Sequence, residues 1–289
     1  MKDVIVITGP TAAGKSGLAH KIARAAGGEI IVADSVKVYK GADIGASKPT
    51  AEKLKEVKYH LLDIIEPDQR YDVGRFYRDS IDIIEKLHQK DRLPVVAGGT
   101  PLYITKLTEG LADIPALKEE TRKELSQFST SELYSRLEKA DPERASELHP
   151  HMRKRILRAL GVYMDIGRKM SELYEETKVP SYDFIKLYVS WPREELYERI
   201  EMRVEKMFKA GLVEEVKTLL KNFGSDAPVF EGVGYSETTA YLAGDLTLEE
   251  AKEEMKKNTR HYARKQLTWW RNRNLVCLDG EKLKTERVI

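Results

Sequence analysis

The stretch VIVITGPTAAGKS, Val4 to Ser16, constrains the fold of this chain more than any other. An apolar strand runs into a glycine-rich turn, and an amphipathic helix pattern follows. The turn fits GxxxxGK[ST]. Such a loop aims successive backbone N–H groups and a helix N-terminus at an anion; the lysine adds a point charge and the last hydroxyl suits Mg²⁺. Gly9, Pro10, Thr11, Ala12, Ala13, Gly14, Lys15 and Ser16 are therefore candidates for phosphate binding, and Ser16 for a metal ligand. A buried strand feeding a helix is also the repeating unit of a parallel sheet.

Glu29–Ala33 and Leu93–Ala97 read as further buried strands, ending at Asp34-Ser35 and at Gly98-Gly99-Thr100. Val73–Gln89 has helical spacing between them. The expected fold is α/β, a P-loop NTPase-like parallel sheet core flanked by helices, with an all-helical insertion domain. Such sheets bind ligands beyond the carboxyl ends of their strands, so the three strand-end motifs are expected around one crevice. Strand pattern stops near Gly110. Residues 112–181 carry only helical patterns, one opening at Asp141-Pro142 and another over Met152–Gly167. Strand pattern returns at Phe184–Ser190, Trp191-Pro192 leads into a helix reaching about Ala210, and a last long helix covers Thr247 to Trp270. The expected organisation is a first part of the core at 1–111, the insertion at 112–181, and a second part with a basic helix at 182–289.

Hydrophobic residues make up 41% and charged residues 33% of 289, and no apolar run reaches membrane-span length. A strand pattern directly after Met-Lys-Asp leaves no signal-peptide region, which points to the cytoplasm and to no membrane partner. The single cysteine, Cys277, excludes an intrachain disulfide and reads as a small core residue beside Leu275, Val276 and Leu278.

A net charge of +2 does not announce a nucleic-acid partner, but its distribution does more. No acidic residue lies between Glu147 and Asp165, where Arg153, Lys154, Arg155 and Arg158 cluster. None lies between Glu254 and Asp279, where Lys257, Arg260, Arg264 and Arg271 share a helical face and Tyr262, Gln266, Trp269 and Trp270 interleave. Cations among aromatics suit a nucleic-acid backbone with exposed bases; a solvated helix face over core tryptophans is the alternative. From position alone Asp34 caps a helix, binds a metal or acts as a base. Arg199 and Arg203 reach a diphosphate or pair with Glu195 and Glu201.

In order, GPTAAGKS, DSVKVY with GADIGASKP, HLLDI, VVAGGTPLY, RILRALGVY, GVGY and ARKQLTWWR resemble the tRNA dimethylallyltransferases, also called tRNA isopentenyltransferases, from Met1 to about Arg273. The resemblance implies that the loop holds the diphosphate of dimethylallyl diphosphate. The dimethylallyl group then goes to the exocyclic N6 of the adenosine 3′-adjacent to the anticodon in tRNA. It implies Asp34 as base, Thr100 near the reacting centre, and Lys15, Arg203 and Mg²⁺ on Ser16 at the leaving group. It further implies that the insertion grips the anticodon stem-loop and that the protein is a monomer. Implied tRNA contacts are Asp34, Ser35, Val36, Lys37, Thr100, Arg122 (after the turn IPALKEETR), Lys154, Arg155, Arg158, Gly232, Val233, Gly234, Tyr235, Ser236, Arg264, Lys265, Gln266 and Arg271.

The chain departs from the family pattern at Lys37, where glutamine is usual, at Lys154, where glutamine or a similar residue is usual, at Pro101, where glycine is common, and at Ala46-Ser47, in place of Thr-Ala. An ammonium grips phosphate but lacks the paired donor and acceptor of an amide, so more salt-dependent RNA recognition is expected. Three other functions compete. A small-molecule kinase leaves the arginine-rich insertion and GVGY unexplained. An adenylate isopentenyltransferase acting on free AMP, ADP or ATP needs neither the insertion nor the Arg264–Arg271 helix. A non-catalytic RNA-binding protein has no need of Asp34 and Thr100 beside an intact loop.

Overall fold

Asp3–Thr8 (β1), Glu29–Val32 (β2), Tyr59–His60 (β3), Pro94–Ala97 (β4), Asp183–Ser190 (β5) and Val276–Asp279 (β6) form one sheet in the order β3-β2-β4-β1-β5-β6. Every pairing is parallel. The computed structural model describes residues 3–285. Its helices are α1 (Lys15–Ala25), α2 (Ala51–Glu56), α3 (Val73–His88), α4 (Pro101–Glu109), α5 (Glu119–Ser126), α6 (Thr130–Ala140), α7 (Pro142–Glu147), α8 (Arg153–Ile166), α9 (Met170–Glu175), α10 (Arg193–Lys209), α11 (Leu212–Phe223), α12 (Tyr235–Ala243), α13 (Leu248–Trp270) and the short α14 (Lys282–Thr285). The expected parallel sheet with flanking helices is thus present.

The strand alternation sorts side chains to the two faces. Val4, Val6, Ile31 and Val96 join one core with Phe76 and Ile84 of α3. Ile7, Ile30, Val32 and Val95 join the other with Ala19 and Ala23 of α1. Burial on both faces explains why these strands read as continuous apolar runs. The helix starts are written locally. Asp72 accepts the Arg75 amide at the head of α3, and Thr247 with Glu250 forms a capping box at the head of α13.

The chain divides into two compact units, Met1–Thr108 with Ser181–Ile289, and Glu109–Pro180. The second unit packs α5–α9 around Leu125, Leu133, Leu137, Ile156 and Leu160, with no strand among its described residues. Asp141 is fully buried there. It accepts the Arg144 amide at the head of α7 and both the amide and the hydroxyl of Ser171 in α9, so the buried carboxylate is fully satisfied.

Cys277 corrects one expectation. It is exposed, as is Val276 at 58%, because β6 is an edge strand and pairs only with β5. Apolar neighbours in sequence do not make a core where the sheet ends.

Candidate active site

The strand order brings the three motifs together. β1 lies between β4 and β5, pairing Ile7 with Ala97 and Thr8 with Tyr188, and β2 pairs Val32 with Ala97. Loops 9–16, 33–37 and 98–100 therefore leave the sheet at one edge. Two glycines permit this closeness. Gly9 has φ 145°, and a Cβ there would stand 2.5 Å from the Val189 carbonyl oxygen. A Cβ on Gly98 would run into the Ala33 carbonyl.

Residues distant in sequence hold the first loop. Trp191, buried at the β5–α10 turn, donates its Nε1 proton to the Ala13 carbonyl (2.9 Å). Arg199 donates from Nε to the Ala12 carbonyl (2.8 Å) and stacks over the Trp191 ring, 4.1 Å from its centroid. Arg203, one turn on, donates from Nη1 to Thr11 Oγ1 (3.1 Å). Gln266 of α13 accepts the Thr11 amide on Oε1 (2.8 Å) and donates from Nε2 to the Gly99 carbonyl (2.5 Å). One buried amide thus fastens the first loop to the third. Tyr262, four residues earlier, donates its hydroxyl to the same Gly99 carbonyl (3.2 Å).

These contacts frame a cavity of about 280 Å³ bordered by Lys15, Ser16, Lys37, Arg199 and Arg203, with Asp34 the one carboxylate on its wall. Lys15 donates from Nζ to the Pro10 carbonyl (2.6 Å). Burial lowers its pKa to about 7, and the Arg203 guanidinium pushes the same way. Burial also lowers Arg203, while Asp34 opposes the shift. So much positive charge against one carboxylate in a small space favours an anion with several oxygens.

Asp34 follows β2 and is half-buried. Its Oδ1 accepts the amides of Val36 (2.9 Å) and Lys37 (3.2 Å), a turn that fixes the carboxylate. Its Oδ2 takes no hydrogen bond among the described residues. Thr100 Oγ1 accepts the Ser35 amide (3.1 Å), and the Thr100 amide donates to the Ala33 carbonyl (3.2 Å), tying the second loop to the third. Asp34, Thr11, Arg203 and Tyr262 also border a second cavity of about 320 Å³, whose further walls include Val36, Val204, Met207 and Met255. Burial, reinforced by Asp34, raises the Tyr262 phenol to about 12, so it stays a hydrogen-bond donor at neutral pH.

Ser16 borders the first cavity, and no group of three or more His, Cys, Asp or Glu that could hold a metal occurs among the described residues. One hydroxyl beside an anion site fits Mg²⁺, which commonly takes one or two protein oxygens and completes its shell with substrate phosphates and water.

The residues expected to touch RNA divide. Ser35, Val233, Ser236, Arg264, Lys265 and Arg271 are exposed on the first unit, and Arg122, Lys154 and Arg155 on the second. Arg264, Lys265 and Arg271 make no ion pair among the described residues, whereas Arg260 pairs with Glu201 (3.0 Å) and Lys257 with Glu254 (3.0 Å). The expected cationic face is therefore partly neutralised. Arg158 donates to the carbonyls of Ile114 and Pro115, within its own unit. Gly234 is buried and Gly232 and Val36 are half-buried.

Three of these residues sit differently from expectation. Tyr235 is fully buried, with its hydroxyl on Glu215 (2.8 Å), because α12 turns it into the core. Gln266 is 1% exposed, both its polar atoms used on backbone. Lys37 brings its Nζ 3.5 Å from Ser16 Oγ, on the wall of the cation-lined cavity. Sequence reasoning gave Tyr262 no place in this site and left Arg199 between a diphosphate contact and an ion pair, whereas Arg199 bonds the Ala12 carbonyl. The four-residue step from Tyr262 to Gln266, which puts both on one helix face, was the available signal.

The match to known proteins follows this geometry. A family model described as IPP transferase covers residues 37–273, and one described as isopentenyl transferase covers residues 2–68. The chain belongs to the IPP transferase family. A tRNA dimethylallyltransferase of Geobacter sulfurreducens is 43% identical over 275 residues, covering 93% of this chain and 88% of that protein. The solved structure of the full-length tRNA isopentenylpyrophosphate transferase of Bacillus halodurans superposes with a TM-score of 0.72 at 35% identity, over 97% of this chain and 90% of that one. A eukaryotic dimethylallyltransferase acting on tRNA gives 0.87 at 29% identity, over 98% and 75%. The IPP transferase and isopentenyl transferase matches together take in every loop at the sheet edge and the whole helical unit.

Proposed function

We propose that this chain transfers the dimethylallyl group of dimethylallyl diphosphate to the exocyclic N6 amine of the adenosine 3′-adjacent to the anticodon in tRNA, releasing diphosphate. The observation that carries this reading beyond family membership is the place of Asp34. It is one carboxylate at the border between a cation-lined cavity and a partly apolar one. The first suits a diphosphate, the second a prenyl chain and a base.

The allylic C1–O bond breaks and its electron pair leaves with the diphosphate. The N6 lone pair forms the new bond to the same carbon, and the N6 proton passes to Asp34. An exocyclic amine conjugated with its ring is a weak nucleophile, so a positioned base matters; such bases contribute about 10²–10⁴ in rate. Lys15, Arg203 and the unpaired amides at the start of α1 oppose the charge that grows on the leaving oxygens. Ser16 would hold Mg²⁺, which would supply further neutralisation of that charge. Thr100 holds the Asp34 loop through the Ser35 amide, beside the reacting centre.

The target base reaches Asp34 only when flipped from its stack, at a few kcal/mol. Exposed Arg122, Lys154 and Arg155 on the helical unit, Arg264 and Lys265 on α13, and Arg271 just past its end hold the anticodon stem-loop by its phosphates. The enzyme works as a monomer on cytoplasmic tRNA, and no helix among the described residues is long and apolar enough to cross a membrane.

The test is transfer of label from radiolabelled dimethylallyl diphosphate, with Mg²⁺, to an unmodified anticodon stem-loop or to AMP. Label is expected in the RNA, and Asp34→Ala is expected to lower the rate about 10²–10⁴-fold. Label in AMP alone would move the chain to the free-nucleotide transferases. Label in neither, with ATP turnover, would make it a kinase.

A further inference from the structure

The wall of the cation-lined cavity carries one ammonium that the reaction above does not use. Lys37 follows Asp34 by three residues. Its backbone is fixed at both ends: its amide donates to Asp34 Oδ1 (3.2 Å), and its carbonyl accepts the Asp63 amide (3.2 Å). So held, the side chain lines the cavity, and its Nζ lies 3.5 Å from Ser16 Oγ. Lys37 makes no ion pair with a carboxylate among the described residues. Its charged neighbours are Asp34, which favours the ammonium, and Lys15, Arg203, Lys48 and Lys53, which oppose it.

We propose that Lys37 is a diphosphate-binding residue, supplying from the protein itself, beside Ser16, part of the positive charge that Mg²⁺ would otherwise bring to the leaving group. This rests on the prenyl-transfer reading above. Three observations carry it. The ammonium borders the same small cavity as Lys15 and Arg203, and it approaches the very hydroxyl placed to ligate the metal. The cavity wall holds one carboxylate against these cations, so the cluster is uncompensated until an anion enters. A lysine is a point charge suited to phosphate oxygens and unsuited to reading a base edge through paired donor and acceptor.

The physical consequence is a lowered metal requirement for holding diphosphate. A cation fixed to the chain needs no capture from solution, and a second cation at the same oxygens gains less from charge already neutralised.

The test uses the full chain and inorganic pyrophosphate, with affinity measured by calorimetry in EDTA and again in Mg²⁺. The unaltered protein is expected to bind pyrophosphate in EDTA. Lys37→Gln is expected to weaken that binding about tenfold or more, the usual effect of losing one charge-assisted hydrogen bond. Mg²⁺ is expected to restore most of the loss, and Lys37→Arg to retain most of the affinity in EDTA. A general structural defect would lower affinity in both conditions and would not be rescued by metal. Equal affinities of the unaltered protein and Lys37→Gln in EDTA would overturn the assignment. So would an unchanged pyrophosphate affinity accompanied by weaker binding of a labelled anticodon stem-loop, which would return Lys37 to RNA recognition. Failure of the unaltered protein to bind pyrophosphate under either condition would instead remove the diphosphate reading of the whole cavity.

Discussion

Gln266 shows how much one side chain contributes to the site. It saturates the Thr11 amide and the Gly99 carbonyl together, inside the protein, 255 residues from the first of them. Leucine has nearly the same volume but leaves both backbone groups unpaired, at about 1–3 kcal/mol each. Gln266→Leu is therefore expected to lower the melting temperature by several degrees and to weaken pyrophosphate binding. A melting curve that overlays that of the unaltered protein would refute the clamp. Lys15 makes a prediction about pH. Its folded pKa of about 7 lies below the ordinary 10.5, so between those values the unfolded chain holds a proton that the folded protein has shed. Stability of the ligand-free protein should rise with pH through that window, and Lys15→Ala should remove this part of the slope. A bound polyanion favours the ammonium again, so pyrophosphate binding at about pH 8 should take up a proton. Calorimetry in buffers of different ionisation heat measures that proton directly.

The elements were legible where one signal decided them. β1, β2 and β4 have apolar runs buried on both faces, β5 keeps a strand pattern whose buried residues, Tyr188 and Val189, lie near its end, and the helices have caps written in adjacent residues. The two-residue β3 escaped notice because it carries no pattern of its own; it exists only by pairing with β2. The direction of Lys37 was equally hidden, since it depends on the turn that Asp34 makes with the Val36 and Lys37 amides. Tyr235 was misplaced for the same reason. A GVGY string tells nothing of which side of a helix start faces the core. α11 adds a contact with no sequence signature. Glu215, near its start, accepts the amides of Asp43 (2.9 Å), Ile44 (2.6 Å) and Gly45 (3.0 Å) and the hydroxyl of Tyr235 (2.8 Å). One carboxylate thereby shapes the loop beside both cavities. Glu215→Gln replaces an acceptor of four donors by a group with one acceptor oxygen. A loss of about 2 kcal/mol or more is expected from denaturant unfolding. An unchanged midpoint would show the loop to be held by other means.

At the scale of the molecule, charge is divided by task. The cations of the sheet-edge cavity are few, close and partly buried, whereas Arg122, Lys154 and Arg155 on the helical unit stand in solvent. The first kind is screened little by salt, the second strongly. Lys154→Ala combined with Arg155→Ala should therefore reduce the salt slope of stem-loop binding by about 1 to 2 and leave pyrophosphate affinity unchanged. A slope equal to that of the unaltered protein would exclude both from the RNA interface. The partly neutralised face of α13 explains why the cation count in the sequence overstates the surface charge there: Arg260 and Lys257 have carboxylate partners that spacing alone does not disclose.

The bond from Thr11 to Gln266 also has a meaning in time. The first strand and its loop leave the ribosome early, yet the residue that locks the loop is among the late ones to emerge. Between them the chain must complete the helical unit and β5, whose pairing with β1 fixes the Trp191 and Arg199 contacts. A nascent chain holding the whole glycine-rich motif thus still lacks a formed anion site. A chain stopped short of Gln266 would leave the Thr11 amide and the Gly99 carbonyl without this partner, and the first loop unfastened from the third.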